Sequence, residues 1–344
     1  MNLLFRADAS VQIGTGHVMR CLALAQALQD AGGQPLFAMA QTTPSLDARL
    51  ASEGCQQCSI SAECGIADAV QTIALAEKHR CNWIVVDGYQ FDADYQNALK
   101  RARCKVLFLD DYGHAARYSA DLVLNQNAYA SPEMYAARES QVRLLLGPRY
   151  CLLRREFNSW RGWRRKIAPA GKHILVTMGG SDPDNFTAAV CDALGQLANV
   201  SVTVVAGGSN PHFESLRELV SRRSSFVLLK SAGNMPELMA QADVAVAGAG
   251  TTCWEMCLLQ LPMLLIDLVN NQEPIAKVLQ ERGAAIHLGT AQLKAGNRVT
   301  KNEIAERVVN LLASQTERAG LSQRSGELVD GRGTERVLEE MTRG

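Results

Sequence analysis

The sequence predicts an α/β protein built from two doubly wound, Rossmann-like parallel units. Three observations carry this expectation. Short apolar runs alternate with amphipathic helical stretches, the mark of parallel α/β structure. The rhythm stops once, in a polar, aromatic and basic segment, and then restarts. The chain has 344 residues, a length that suits two domains with separate cores.

The first half opens with the short strand Leu3–Phe5, the loop Asp8–Gly16 and a helix from Val18 to about Gln29. Val18, Cys21, Leu22, Ala25 and Leu28 fall on one helical face. Strand Leu36–Met39 follows. Helix Ala67–His79 leads to strand Trp83–Val86, and helix Ala93–Arg101 to strand Val106–Leu109. Leu122–Leu124 and Leu144–Leu146 read as two more strands. The segment 158–171, with Pro169 and Gly171, reads as a linker. It divides an N-terminal domain, 1–157, from a C-terminal domain, 172–330. The second half repeats the pattern: strand Ile174–Thr177, a loop over 178–184 and a helix to about Leu197, strand Val202–Val205, helix Phe213–Ser221, strand Phe226–Leu229, helix Met235–Ala240 and strand Val244–Ala247. A helix running to about Leu259, strand Pro262–Ile266 and helix Asn271–Glu281 complete it. A last helix in 331–344, about Thr334 to Met341, is expected to pack back on the first domain. Ligands of open α/β sheets sit beyond the carboxyl ends of strands, so a cleft between two such units would be lined by the post-strand loops.

Composition narrows the function classes. The chain carries 35 basic and 35 acidic residues and a formal net charge of zero, without the basic excess of a general nucleic-acid binder. Its one dense basic cluster, Arg161, Arg164, Arg165 and Lys166, reads as a solvated linker anchored by Trp160 and Trp163. Ten cysteines and an N-terminus that reads as a strand rather than a signal peptide point to reduced thiols in the cytoplasm. No membrane span is expected, because no run of about 18 apolar residues lacks charge. Cys55 and Cys58 form a C-x-x-C without a second ligand pair, so neither a metal nor a redox role is expected there.

The post-strand loops hold the chemistry-bearing residues. They are Gly14-Thr15-Gly16-His17, Asp87-Gly88-Tyr89, Asp110-Asp111-Tyr112-Gly113, Gly179-Gly180-Ser181-Asp182, Gly250-Thr251-Thr252 with Glu255, and Asn270-Asn271-Gln272. Gly179–Ser181 and Gly248–Thr252 are expected to open helices, where free N–H groups and the dipole suit phosphate; a tight strand-to-helix turn also asks for glycine. The spelling excludes a dinucleotide fingerprint at Gly14–Met19, a P-loop and a nucleophile elbow at Gly179–Pro183. His17 lies at a helix mouth, where the field favours the neutral imidazole that a general base needs; capping or packing is the alternative. Glu255 either closes a capping box or accepts ribose hydroxyls.

These blocks match a known family. Phe5-Arg6-Ala7-Asp8-Ala9-Ser10 and Ile13-Gly14-Thr15-Gly16-His17-Val18-Met19-Arg20-Cys21 resemble the start of the UDP-sugar hydrolases of pseudaminic acid biosynthesis. The later blocks, among them Met178–Pro183, Ala249–Glu255 and Asn271-Gln272, are shared more widely with glycosyltransferases. The resemblance spans about residues 1–290, and the tail from Ala291 is longer than in the shortest members. It implies a GT-B fold, two Rossmann-like domains facing across a cleft. It also implies cleavage of UDP-2,4-diacetamido-2,4,6-trideoxy-β-L-altropyranose or a close relative to free sugar and UDP, with inversion and without metal or cofactor. His17 would activate water, with Asp87 and Tyr89 as further catalytic residues and Tyr89 near the sugar. Gly179, Gly180, Ser181, Asp182, Gly250, Thr251 and Thr252 would hold the diphosphate, Glu255 the ribose, and Asn271 and Gln272 the sugar. Arg6, Asp8, Gly14, Thr15, Gly16 and Arg20 would complete the substrate site. The resemblance leaves a glycosyltransferase with the same donor, or a silent UDP-sugar binder, as alternatives; the sequence shows no obvious apolar acceptor patch. The expected partners are the UDP-sugar and UDP alone, with no nucleic acid, and the chain is expected to be a monomer or weak oligomer.

Overall fold

The computed structural model describes residues 1–62, 64–291 and 298–343. The first six residues of the expected tail beyond Ala291 therefore lie outside the described residues. The chain divides into two compact units, one made of residues 1–155 with the segment from 331 onward, the other of residues 156–330.

The first unit contains β1 (Asn2–Ala7), α1 (Gly16–Asp30), β2 (Gln34–Met39), α2 (Pro44–Ser52), β3 (Gln56–Ser59), α3 (Ile66–Lys78), β4 (Trp83–Asp87), α4 (Ala93–Leu99), β5 (Lys105–Leu109), β6 (Leu122–Asn125) and β7 (Arg143–Leu146). Its strands form one parallel sheet in the order β3-β2-β1-β4-β5-β6-β7. Helices cover both faces, which is why β1 and β4 read as continuous apolar runs. Leu3 and Phe5 enter the core with α1, and Leu4 enters the other core with Ile84 and Val86. Periodicity did not single out α2, because only Leu46 and Leu50 of its nine residues are buried.

The second unit contains β8 (His173–Thr177), α5 (Phe186–Leu194), β9 (Ser201–Ala206), α6 (Phe213–Ser221), β10 (Phe226–Lys230), α7 (Met235–Gln241), β11 (Val244–Gly248), α8 (Thr252–Leu258), β12 (Met263–Asp267), α9 (Glu273–Glu281), β13 (Ile286–Thr290), α10 (Lys301–Ala313) and α11 (Gln315–Gly326). Its sheet is also parallel, in the order β10-β9-β8-β11-β12-β13. The last three elements were not anticipated, although α10 starts with a spelled-out capping box. Thr300 N–H donates to Glu303 Oε2 at 2.8 Å, and Glu303 N–H donates to Thr300 Oγ1 at 3.2 Å. Arg165 corrects the reading of a solvated basic linker. It is half-buried against the ring of Trp163 and donates to the carbonyls of Met239, Ala242 and Leu259, so burial lowers its pKa to about 10.

The chain ends with α12 (Gly333–Thr342), which packs on α1 of the first unit. Val337 and Met341 join the core that holds Val18, Leu22 and Leu28. This cover explains why α1 is buried nearly all round. Gly333 permits the approach, since a Cβ there would lie 2.1 Å from the Cys151 carbonyl oxygen.

Candidate active site

Each sheet reverses its winding direction once, and loops diverge at such a point to leave a crevice at the carboxyl ends of the strands. In the first unit the reversal lies between β1 and β4, with Ala7 opposite Asp87. The loop after β1 folds back on itself, with Gly14 at φ 78° donating its N–H to the Ser10 carbonyl at 2.8 Å. That positive φ suits glycine. The turn delivers half-buried Thr15 and Gly16, and then His17 on the first turn of α1.

His17 meets the end of β4. Its Nδ1 lies 2.6 Å from Asp87 Oδ1. An ionised carboxylate only accepts, so Nδ1 carries a proton, and the neutral tautomer compatible with this contact has its lone pair on Nε2. Arg20, one turn further along α1, donates to both Asp87 oxygens at 2.5 and 2.7 Å. Burial raises the Asp87 pKa, but Arg20 and His17 outweigh it and hold the carboxyl below its ordinary range. Asp87 is wholly buried, with one oxygen on His17 and both on Arg20.

The structure adds Asp111, which stood in a recognised loop without a role. It follows β5, the next strand in the sheet. Its Oδ1 accepts from Arg20 Nη1 at 2.7 Å and from Asn127 Nδ2 at 3.0 Å, and its Oδ2 accepts from the Tyr89 hydroxyl at 2.6 Å. Burial raises its pKa, and Arg20 and Tyr89 more than reverse this. The same contact, with burial as the larger cause, drives the Tyr89 phenol well above its usual pKa. Its ring stands edge-on to His17, with centroids 4.8 Å apart at 84°.

Arg6 and Asp8 form a second network. Arg6 is fully buried. It donates to Asp8 at 2.7 and 2.8 Å and to Asp68 of α3 at 2.6 Å. Asp8 also accepts from the N–H groups of Ala40 and Gln41 at 2.7 and 3.1 Å and from Gln90 Nε2 at 3.1 Å. The Arg6 guanidinium is thus engaged by two carboxylates inside the fold. Asp8 and Arg20 are likewise buried, with 5% exposure each. Asp68 escaped the sequence reading because a carboxylate in a helix's first turn reads as a surface partner of the dipole.

In the second unit the reversal lies between β8 and β11. Gly179 is exposed with φ 85°. Gly179–Ser181 do not open a helix as expected, since α5 starts at Phe186. Asp182 intervenes. Its buried carboxylate accepts from the N–H groups of Phe186 and Thr187, both at 2.8 Å, and from the Thr187 hydroxyl at 2.6 Å. Those bonds fix the helix start. Asp182 and Asn185 both have positive φ, 44° and 53°, conformations that non-glycine residues adopt at a cost and that cluster at functional loops. The loop after β9 abuts this one so closely that a Cβ on Gly207 would lie 2.2 Å from the Gly180 carbonyl oxygen. Gly207 was noted as part of a loop but not as a site residue. After β11, Gly250, Thr251 and Thr252 lead into α8, with half-buried Glu255 on its first turn. The Cβ position of Gly250 is 3.7 Å from Gln272 Nε2, and Gln272 Oε1 accepts from Leu268 N–H at 2.9 Å. Asn271, half-buried, shares the short 3₁₀ turn Asn270–Gln272.

Among the described residues, no group of three or more His, Cys, Asp or Glu side chains is placed to hold a metal ion. Among them, too, no helix is long and apolar enough to cross a membrane.

Residues 173–324 match the glycosyltransferase family 28 C-terminal domain. Over a longer span the chain is 26% identical to the UDP-2,4-diacetamido-2,4,6-trideoxy-β-L-altropyranose hydrolase of Campylobacter jejuni, across 287 residues that make up 82% of this chain and 97% of the relative. It is 28% identical to the spore coat polysaccharide biosynthesis protein SpsG of Bacillus subtilis over 235 residues, 67% of each chain. The resemblance drawn from the motifs is thereby found in relatives matched over 82% and 67% of this chain. The crystal structure of Acinetobacter baumannii MurG has a TM-score of 0.66 at 15% identity, covering 100% of this chain and 99% of that one. The two parallel sheets and this neighbour establish the fold as GT-B, with two Rossmann-like domains.

Proposed function

We propose that this chain is a nucleotide-sugar hydrolase. It cleaves the anomeric C–O bond of UDP-2,4-diacetamido-2,4,6-trideoxy-β-L-altropyranose, or a close relative, and releases UDP with inversion. The observation that carries this reading is the His17–Asp87 pair, 2.6 Å apart, at the reversal point of the first sheet. It is the arrangement that a general base requires: one ring nitrogen anchored to a buried carboxylate, the other carrying a lone pair. The relation to the Campylobacter enzyme supports the choice of substrate.

In this reading His17 Nε2 takes a proton from water as the water oxygen bonds to C1. The bond from C1 to the diphosphate oxygen breaks, and its electron pair leaves with UDP. Asp87 stabilises the imidazolium that forms. The second unit holds the nucleotide, with Gly179–Ser181 and Gly250–Thr252 donating backbone N–H and hydroxyl groups to the developing charge. Glu255 accepts from the ribose, and Asn271 and Gln272 hold the sugar. Thr15 and Gly16 shape the turn that keeps His17 in place.

One observation favours a second reading, transfer to an acceptor. Val11 and Ile13, on the loop beside the glycine turn, are 37% and 39% exposed, an apolar pair that the sequence reading did not recognise as a patch. The family 28 match fits a transferase equally. A panel of UDP-sugars offered without acceptor, with UDP release assayed and the anomeric proton followed by NMR, separates the two. Free inverted sugar supports hydrolysis. Release only on adding an acceptor supports transfer. His17→Ala should abolish release while UDP still binds.

A further inference from the structure

Tyr112 is the exposed member of an aromatic row that starts at the base. From His17 to Tyr89 the ring centroids are 4.8 Å apart, and from Tyr89 to Tyr112 they are 5.1 Å apart. His114 lies behind both tyrosines, 5.8 Å from Tyr89 and 5.7 Å from Tyr112. The Tyr112 side of the row is 44% exposed.

Its backbone is not loose. Asp110 Oδ1 accepts from the N–H groups of Tyr112 at 2.9 Å and Gly113 at 3.1 Å. Gly113 has φ 73°, and a Cβ there would lie 2.9 Å from the Met134 carbonyl oxygen. His114 sets both ring nitrogens against acceptors, Nδ1 3.3 Å from Asp110 Oδ1 and Nε2 3.1 Å from the Phe91 carbonyl oxygen. A large ring held out toward water on a loop fixed this firmly is organised for contact with a ligand.

We propose that Tyr112 is the specificity platform for the sugar, taking its apolar C–H face and deoxygenated C6 methyl. The inference rests on the nucleotide-sugar reading above and deepens it. An aromatic face attracts polarised C–H groups and releases water from them. A hydroxyl at C6 pressed on the same ring would lose a hydrogen bond to water without regaining one. The platform thus selects a 6-deoxy sugar over a 6-hydroxy sugar such as N-acetylglucosamine. It lies along the row from His17, so it sets where the sugar rests without taking part in proton transfer.

The test compares full-length wild type with Tyr112→Ala and Tyr112→Phe. Calorimetry measures Kd for UDP and for the intact diacetamido-trideoxy UDP-sugar, with each variant also placed on a His17→Ala background to stop turnover. Kinetics on the His17 proteins measure KM and kcat. Tyr112→Ala is expected to raise the sugar's Kd and KM about tenfold, the loss of one apolar face, with UDP affinity, kcat and Tm nearly unchanged. Tyr112→Phe is expected to match wild type. A sugar Kd within about twofold of wild type, a UDP Kd that moves in step with it, or a wild type that binds the UDP-sugar no better than UDP would each overturn the proposal. If the wild type binds the UDP-sugar but releases no UDP, hydrolysis is refuted, and the Kd comparison still decides the platform.

Discussion

Asp87 closes β4 with one carboxylate oxygen 2.6 Å from His17 Nδ1, and none of the residue reaches solvent. Both oxygens also accept from Arg20, so the site needs an acceptor at each position. Asp87→Asn supplies only one. Its amide N–H₂ must face either the imidazole Nδ1–H or the guanidinium, both of which are donors. The expected outcome is a loss of turnover of ~10⁴-fold, the size seen when a base loses its orienting carboxylate, with UDP affinity retained. Steady-state kinetics beside UDP calorimetry check it, and near-normal kcat would remove Asp87 from the mechanism.

Tyr89→Phe tests a different point. The phenol is committed to Asp111 at 2.6 Å, and its pKa stands far above neutrality. If only its ring serves the site, kcat should fall less than about tenfold, below the range of a general acid or base. Stability should fall by about 1 kcal/mol for the lost hydrogen bond. A drop of ~10²-fold or more would show that the phenol moves a proton.

Arg6→Met leaves Asp8 and Asp68 buried without their cation. Breaking a buried pair in this way costs roughly 3–5 kcal/mol. Urea unfolding should show a midpoint shift of that size. A change below about 1 kcal/mol, the range of surface ion pairs, would mean that the network is not the anchor its burial suggests.

His114 contributes a pH term. Burial lowers its pKa, but Asp110 and the Phe91 carbonyl outweigh this and raise it above 6.5. A group with a raised folded pKa stabilises fully below its unfolded value and loses that contribution as pH rises through the folded value. Thermal melts from about pH 5.5 to 8.5, spanning the unfolded histidine value, should therefore show wild type losing Tm relative to His114→Gln toward the alkaline end. The opposite slope would mean that the imidazole is held neutral.

Gly207→Ala places a methyl 2.2 Å from the Gly180 carbonyl oxygen, a contact backbone must move to relieve. UDP affinity is expected to fall about tenfold or more through displacement of Gly179–Ser181, with an intact His17 site. Unchanged UDP affinity would detach that loop from nucleotide binding.

Much of this was legible in the sequence, for reasons that lie in particular residues. Strands buried on both faces leave unbroken apolar runs, so β1, β4, β8 and β11 were readable. Glycines and carboxylates just past those runs marked the loops. The role of Asp111 was not readable, because only the sheet order brings the end of β5 beside that of β4 and lets one arginine span both. Asp68 looks like an ordinary helix-terminal acid and Asp182 like part of a ligand-binding glycine loop, and only the folded contacts show one anchoring Arg6 and the other capping α5. The helices α10 and α11 carry many exposed polar residues, which blurred their periodicity despite the clear cap at Thr300.

The packing of α12 on α1 bears on how the molecule is made. The helix that carries His17 is synthesised before residues 156–330, but Val337 and Met341, which complete the core around it, follow the entire second unit. Vectorial synthesis therefore lets residues 156–330 fold first, while the first unit waits with an uncovered apolar helix. The arrangement places the nascent chain's longest period of aggregation risk on the same helix that bears the proposed base.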